Sequence, residues 1–189
     1  NNISGGAGND TINISGTAGA DVIDGGTGDD TVNYLTASDA ISATIGSGGM
    51  SVQISGTSDV QTITNVENIS GTNNDDTFYI SGAVSTTINA QGGTDAVDYS
   101  GLGDAINVDL STGVGNVSGT SSSDDHTLQD VEDVMGSLYD DNIVGNDSNN
   151  TLSGNNGDDI IQGNGGDDTI DGGSGSDTVS YVDATIAGV

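Results

Sequence analysis

Residues 136 to 180 form five consecutive nine-residue units with no insertion between them: GSLYDDNIV, GNDSNNTLS, GNNGDDIIQ, GNGGDDTID and GGSGSDTVS. Every unit opens with Gly. Each carries Asp or Asn at its sixth place (Asp141, Asn150, Asp159, Asp168, Asp177) and an aliphatic residue at its eighth (Ile143, Leu152, Ile161, Ile170, Val179). A unit this short cannot bury a hydrophobic face alone. A strict nine-residue period therefore implies stacking of successive units into a solenoid.

The spacing has a physical reason. Glycine accepts positive φ without steric cost, so the first six residues turn tightly. The next three form a minimal strand whose middle side chain points inward. Two units complete one coil, and units an even number apart stack on the same edge. Asp141, Asp159 and Asp177 then form one column of side chains, and Asn150 with Asp168 forms the other. A carboxylate from each of two stacked turns, together with turn carbonyls, is the hard-oxygen cage that Ca2+ prefers. The chain is therefore expected to carry several calcium ions.

The pattern resembles the RTX (repeats-in-toxin) β-rolls that Gram-negative bacteria export. The motif recurs as GGAGNDTIN (5 to 13), GTAGADVID (16 to 24) and GGTGDDTVN (25 to 33), with an extra pair, Ile14 and Ser15, between the first two. In the family, sixth-place Asp carboxylates and turn carbonyls bind calcium, which the resemblance carries to Asp10, Asp21 and Asp30 here. Two degenerate units, GTNNDDTFY (71 to 79) and AQGGTDAVD (90 to 98), retain Asp76 and Asp95 at the same place. The implied fold is all-β, a calcium-stabilised parallel β-solenoid. Family members are exported by type I secretion, so folding is expected on arrival in calcium outside the cell.

Composition supports the reading independently. The chain has no Lys or Arg and 29 acidic residues, a net charge of −29, and all but Glu67 and Glu132 of the acids are Asp. Asp is the short-armed carboxylate suited to turns. With one Phe, five Tyr and no Trp, the chain lacks the aromatic bulk of an ordinary core. Such a chain should be disordered until counter-ions remove the repulsion.

A longer period overlies the short one. Shifting the sequence by 65 residues aligns Asp30 with Asp95, Tyr34 with Tyr99, Ile41 with Ile106, Glu67 with Glu132 and Asp76 with Asp141, without a gap. A third copy is expected to start at DTVSY (177 to 181), placing Tyr181 beneath Tyr34 and Tyr99 and making the chain an excerpt of a longer array. The expected organisation is one continuous solenoid over 1–189. Nonapeptide blocks lie at 5–33, 71–98 (degenerate) and 136–180, with alternating β spacers at 34–70 and 99–135. Strands are expected in AISATI (40 to 45), MSVQIS (50 to 55), AINVDL (105 to 110) and GNVSG (115 to 119). The three-residue apolar spacing that follows each pair reads as solenoid coil, because it is short and β-branched.

Several functions are disfavoured. Without a basic residue nothing meets phosphate, so nucleic acid is not a partner. No apolar run of about 18 residues spans a membrane. There is no Cys, so metal takes the place of disulfides. No enzymatic activity is expected. His126, the only histidine, lies in the polar stretch GTSSSDDHTL (119 to 128), and a triad from Ser121 to Ser123, Asp124 and His126 would sit too close together to be preorganised. Glu67 and Glu132 occupy equivalent sites of successive repeats, which reads as a repeated surface or ligand carboxylate, not a hydrolytic pair. The Tyr column reads as packing.

The expectation is a structural module of a secreted bacterial cell-surface protein: an S-layer, adhesin stalk or filament. Tandem repeats suit spacing and lattice building. Calcium-dependent self-association is expected, and surface polysaccharide is a further partner to consider. The alternatives are an accessory module of a secreted enzyme (polysaccharide epimerase, protease or lipase) and the repeat region of a toxin.

Overall fold

The computed structural model describes residues 1–15, 19–82, 84–117 and 125–180. Every regular element among them is a strand. The first coils hold β1 (Asn2–Ala7), β2 (Thr11–Asn13), β3 (Val22–Thr27) and β4 (Thr31–Asn33). A first spacer supplies β5 (Ile41–Gly46), β6 (Gly49–Ile54), β7 (Val60–Thr64) and β8 (Asn68–Ser70), followed by β9 (Thr77–Ile80), β10 (Thr86–Asn89) and β11 (Ala96–Asp98). A second supplies β12 (Ile106–Asp109), β13 (Val114–Val117), β14 (Asp125–Gln129) and β15 (Asp133–Met135). The uninterrupted nonapeptide block gives β16 (Asn142–Val144), β17 (Thr151–Ser153), β18 (Ile160–Gln162), β19 (Thr169–Asp171) and β20 (Thr178–Ser180). Those five are the last three residues of each nine-residue unit, as the spacing requires.

The strands form two ten-stranded sheets, ordered β1-β3-β7-β6-β5-β9-β11-β15-β17-β19 and β2-β4-β8-β10-β14-β13-β12-β16-β18-β20. Consecutive units alternate between sheets, and eighth-place side chains meet in register: Ile143 with Ile161, and Leu152 with Ile170. The core is the slab between the sheets. Ile23, Val32, Phe78, Ile88, Val97, Ile143, Leu152 and Ile161 are fully buried there. Parallel pairing dominates, as a solenoid demands. β6 and β13 are the exceptions, each running antiparallel to both neighbours. The alternating spacers are thus three-stranded meanders spliced into an otherwise parallel sheet.

The two meanders lie in different sheets, β5 to β7 in the first and β12 to β14 in the second. Between Asp30 and Asp95 the chain visits the sheets five times, counting a meander as one visit. An odd count makes the next long repeat start in the opposite sheet, so successive copies are related by a half turn. Tyr34 and Tyr99, equivalent across that half turn, are completely buried, which fits packing. Burial pushes both phenols far above their ordinary range. Tyr181 lies outside the described residues.

His126 departs from the polar-loop expectation. It sits in β14, is 1 % exposed, and packs its ring 5.8 Å from that of Tyr99. Alternation along the strand turns it inward in the place that Gln61 takes one long repeat earlier. Gln61 is likewise buried and accepts the Tyr34 hydroxyl. Ser121 to Ser123 and Asp124 lie outside the described residues.

Candidate metal centre

The turns explain why each unit opens with Gly. A Cβ on Gly154 would stand 2.1 Å from Oδ2 of Asp159, in its own turn, and 2.6 Å from the carbonyl oxygen of Gly172, in the turn stacked on it. Only a bare Cα lets those two oxygens approach the same point. The turn also needs left-handed backbone at its second and fourth places. Asn155 supplies φ 71° and Gly157 supplies φ 127°, values open to Gly and tolerated by Asn. Asn155 adds a bond across the coil, donating Nδ2 to the Gly136 carbonyl at 2.7 Å.

Sixth-place carboxylates form ladders along both edges. The Asp141 N–H donates to Oδ1 of Asp159 at 2.8 Å, and the Asp159 N–H donates to Oδ1 of Asp177 at 3.1 Å. On the other edge the Asn150 N–H donates to Oδ1 of Asp168 at 3.0 Å. These are the two columns expected from the spacing. The Asp10 N–H reaches Oδ1 of Asp30 at 2.7 Å, so the extra pair Ile14 and Ser15 does not unstack the first turns; the buried Ile14 is absorbed into the core. The degenerate units join in the same way, with the Asp76 N–H 2.7 Å from Oδ1 of Asp95.

In Asp30, Asp95 and Asp159 one oxygen serves the ladder and the second faces inward. Oδ2 of Asp10, Asp30, Asp95 and Asp159 is buried without a hydrogen-bond partner. A buried carboxylate oxygen left unpaired is costly, and a cation held between turns removes the cost. Asp95 shows the strain most clearly: burial, with Asp76 and Glu132 nearby, pushes its carboxyl up to about 7 despite the bond from the Asp76 N–H. Burial likewise raises Asp159. Hard oxygens from one carboxylate per turn plus carbonyls such as Gly172 O fit Ca2+. Among the described residues no group of three His, Cys, Asp or Glu side chains converges as a metal site, so the backbone must supply much of any cage.

Other expected ligands stand differently. Asp76 and Asp141, equivalent in the long repeat, have both oxygens occupied. Asp141 accepts from the Ser137 N–H (2.6 Å), the Ser137 hydroxyl (2.7 Å) and the Ile106 N–H (2.8 Å). Asp76 accepts from the Thr72 N–H (2.6 Å), the Thr72 hydroxyl (3.0 Å) and the Ile41 N–H (2.7 Å). Burial still raises both carboxyls. They close the turns against the meanders. Asn150 is also satisfied, accepting the Asn146 N–H at 2.9 Å and donating to the Glu132 carbonyl at 2.7 Å. Asp21 meets the Asn1 side chain at 2.9 Å on one side, and the strand stacked on its other side brings Gln61 where a further carboxylate would stand. Asp168 and Asp177 lie at the last described coil, half-buried.

Two features escaped the sequence reading. The fifth-place side chains, Asp29, Asp140, Asp158 and Asp167 among them, are solvent-exposed, yet they form an outer ladder of their own. Oδ1 of Asp140 accepts the Asp158 N–H at 2.8 Å, and Oδ1 of Asp158 accepts the Ser176 N–H at 2.9 Å. The recurrence of Asp and Asn at this place was the available signal. The second feature is the position of the two glutamates. Glu67 and Glu132 directly precede β8 and β15, where Asp141 and Asp159 precede their strands.

Residues 1–13, 13–40, 135–162 and 144–179 match the family model of the RTX calcium-binding nonapeptide repeat, in four copies. Over these residues the chain carries RTX calcium-binding nonapeptide repeats, which bind Ca2+ ions and occur in secreted proteins. No curated protein matches the chain.

Proposed function

We propose that the chain is a non-catalytic structural module of a secreted bacterial surface protein, an S-layer, adhesin stalk or extracellular filament, which folds when it meets calcium outside the cell. The observation that carries this reading is the pair of edge ladders whose inward carboxylate oxygens, in Asp10, Asp30, Asp95 and Asp159, are buried without a protein partner. With −29 charges and no cation in the sequence, the coil holds together when metal occupies those turns. A 65-residue repeat that turns each copy by half a revolution suits an extended spacer. The burial of His126 against Tyr99 supports a packing role for the only histidine. Among the described residues no helix is long and apolar enough to cross a membrane.

Circular dichroism in chelator and in millimolar calcium tests the folding claim; equal β-content in both would overturn it. Analytical ultracentrifugation at rising calcium tests assembly. Calcium-dependent association is expected, through metal bridges or strand edges because salt bridges to Lys or Arg are impossible. A monomer at every protein concentration that binds polysaccharide would favour the enzyme-accessory reading instead.

A further inference from the structure

Glu67 and Glu132 are the only glutamates in the chain, and they stand 65 residues apart in segments, TITNVENIS and LQDVEDVM, that contain no glycine. Both nevertheless carry the backbone signature of a sixth-place residue. The Asp30 N–H donates to Oε2 of Glu67 at 2.8 Å, and the Asp95 N–H donates to Oε2 of Glu132 at 2.9 Å, as the Asp141 N–H does to Asp159. The strands that follow them continue the core column, Val32 beside Ile69 and Val97 beside Val134.

The turn below Glu67 is equally complete, whereas the one below Glu132 opens with Ala90 in place of Gly. A Cβ on Gly25 would fall 2.8 Å from Oδ2 of Asp30 and 1.9 Å from the carbonyl oxygen of Asn65. The same pair of oxygens, one carboxylate and one carbonyl from the next turn, flanks Gly154 in the nonapeptide block. Asn65 reaches this place with a left-handed φ of 52°, and Asp130, its equivalent in the second long repeat, has φ 55°. Asp30 and Asp95 are each 0 % exposed, and each has its Oδ2 buried without a partner.

We propose that Asp30 with the Asn65–Glu67 turn, and Asp95 with the Asp130–Glu132 turn, are two further Ca2+ sites, in which a glycine-free spacer turn takes the part of a nonapeptide. The longer arm of Glu reaches the N–H that Asp reaches from a Gly-rich turn, and its second oxygen adds a hard ligand. The calcium columns then run past the end of the first nonapeptide block into the spacer. This rests on the calcium-loaded reading above, which the test must separate from it.

Native mass spectrometry at saturating calcium counts ions in the wild-type chain and in Glu67→Gln, Glu132→Gln and the double variant. Gln keeps an oxygen acceptor for the Asp30 or Asp95 N–H and removes only the charge and the second ligand oxygen. One ion fewer is expected in each single variant and two fewer in the double. Should a Gln variant fail to fold, Glu67→Asp, which keeps the charge but withdraws it by one methylene, is expected to lose the same ion. A wild-type chain that loads calcium while the variants load equally overturns this inference alone. A wild-type chain that takes up none overturns the proposed function as well.

Discussion

Replacing Asp159 by Asn and by Ala separates two tasks performed by one carboxylate. Oδ1 accepts the Asp141 N–H at 2.8 Å, and Oδ2 is buried beside Gly154 and the Gly172 carbonyl without a hydrogen-bond partner. Asn keeps the first and removes the charge of the second; Ala removes both. A site that free calcium holds at ~100 times its dissociation constant contributes about 2.7 kcal/mol by linkage. Stranding a buried N–H adds about 1–3 kcal/mol. In a chain of this size 1 kcal/mol moves a melting midpoint by about 2–4 °C. At that calcium level Asp159→Asn should therefore melt about 5–11 °C lower than the wild type, and Asp159→Ala lower still by about 2–12 °C. Asp158→Ala is the control. Its side chain is exposed and accepts only the Ser176 N–H, so a loss of about 1 kcal/mol or less and an unchanged ion count are expected. Calorimetric titration and calcium-dependent melts read both quantities. An Asn variant with the wild-type ion count and calcium dependence would refute the ligand assignment at Asp159. Equal Asn and Ala variants would refute the ladder's share.

Other outcomes follow from the same geometry. Gly154→Ala, which sets a methyl 2.1 Å from Oδ2 of Asp159, should weaken calcium binding in titration, whereas Gly6→Ala, with nothing within 4 Å of its Cβ, should cost only backbone strain. The Asp95 carboxyl is raised by burial to about 7 from an unfolded value near 4. Its ionisation therefore destabilises the calcium-free fold progressively as pH rises between those values, and protonation relieves it. In a coil kept folded by calcium at its other sites, calcium should bind there less tightly below about pH 7, with proton release on binding near pH 6 that fades by about pH 8.5, visible calorimetrically in buffers of different ionisation enthalpy. Tyr34→Phe strands the buried Gln61 acceptor and should cost about 1–3 kcal/mol. Tyr99→Phe removes a hydroxyl that has no hydrogen-bond partner and should be close to neutral in urea melts.

What was legible in the sequence is what nine residues decide among themselves. Gly at the first place, left-handed Gly or Asn in the turn, a carboxylate at the sixth and an aliphatic at the eighth are local steric requirements, and their spacing implied two units per coil, strands at 142–144 through 178–180, and the two columns of Asp141, Asn150, Asp159, Asp168 and Asp177. Tertiary structure decided which oxygens remain for a cation, because the partner of each carboxylate lies one coil away and about 18 to 37 residues along the chain. Asp159 stacks under another Gly-rich turn and keeps Oδ2 free, whereas Asp141 has Ser137 and the first strand of a meander against it and keeps neither oxygen. The odd number of sheet visits between meanders, the inward turn of His126 and the rank of Glu67 and Glu132 as ladder members all depend on how the spacers splice into the sheets. That splice is set by strand register across the stack, which no nine-residue window contains.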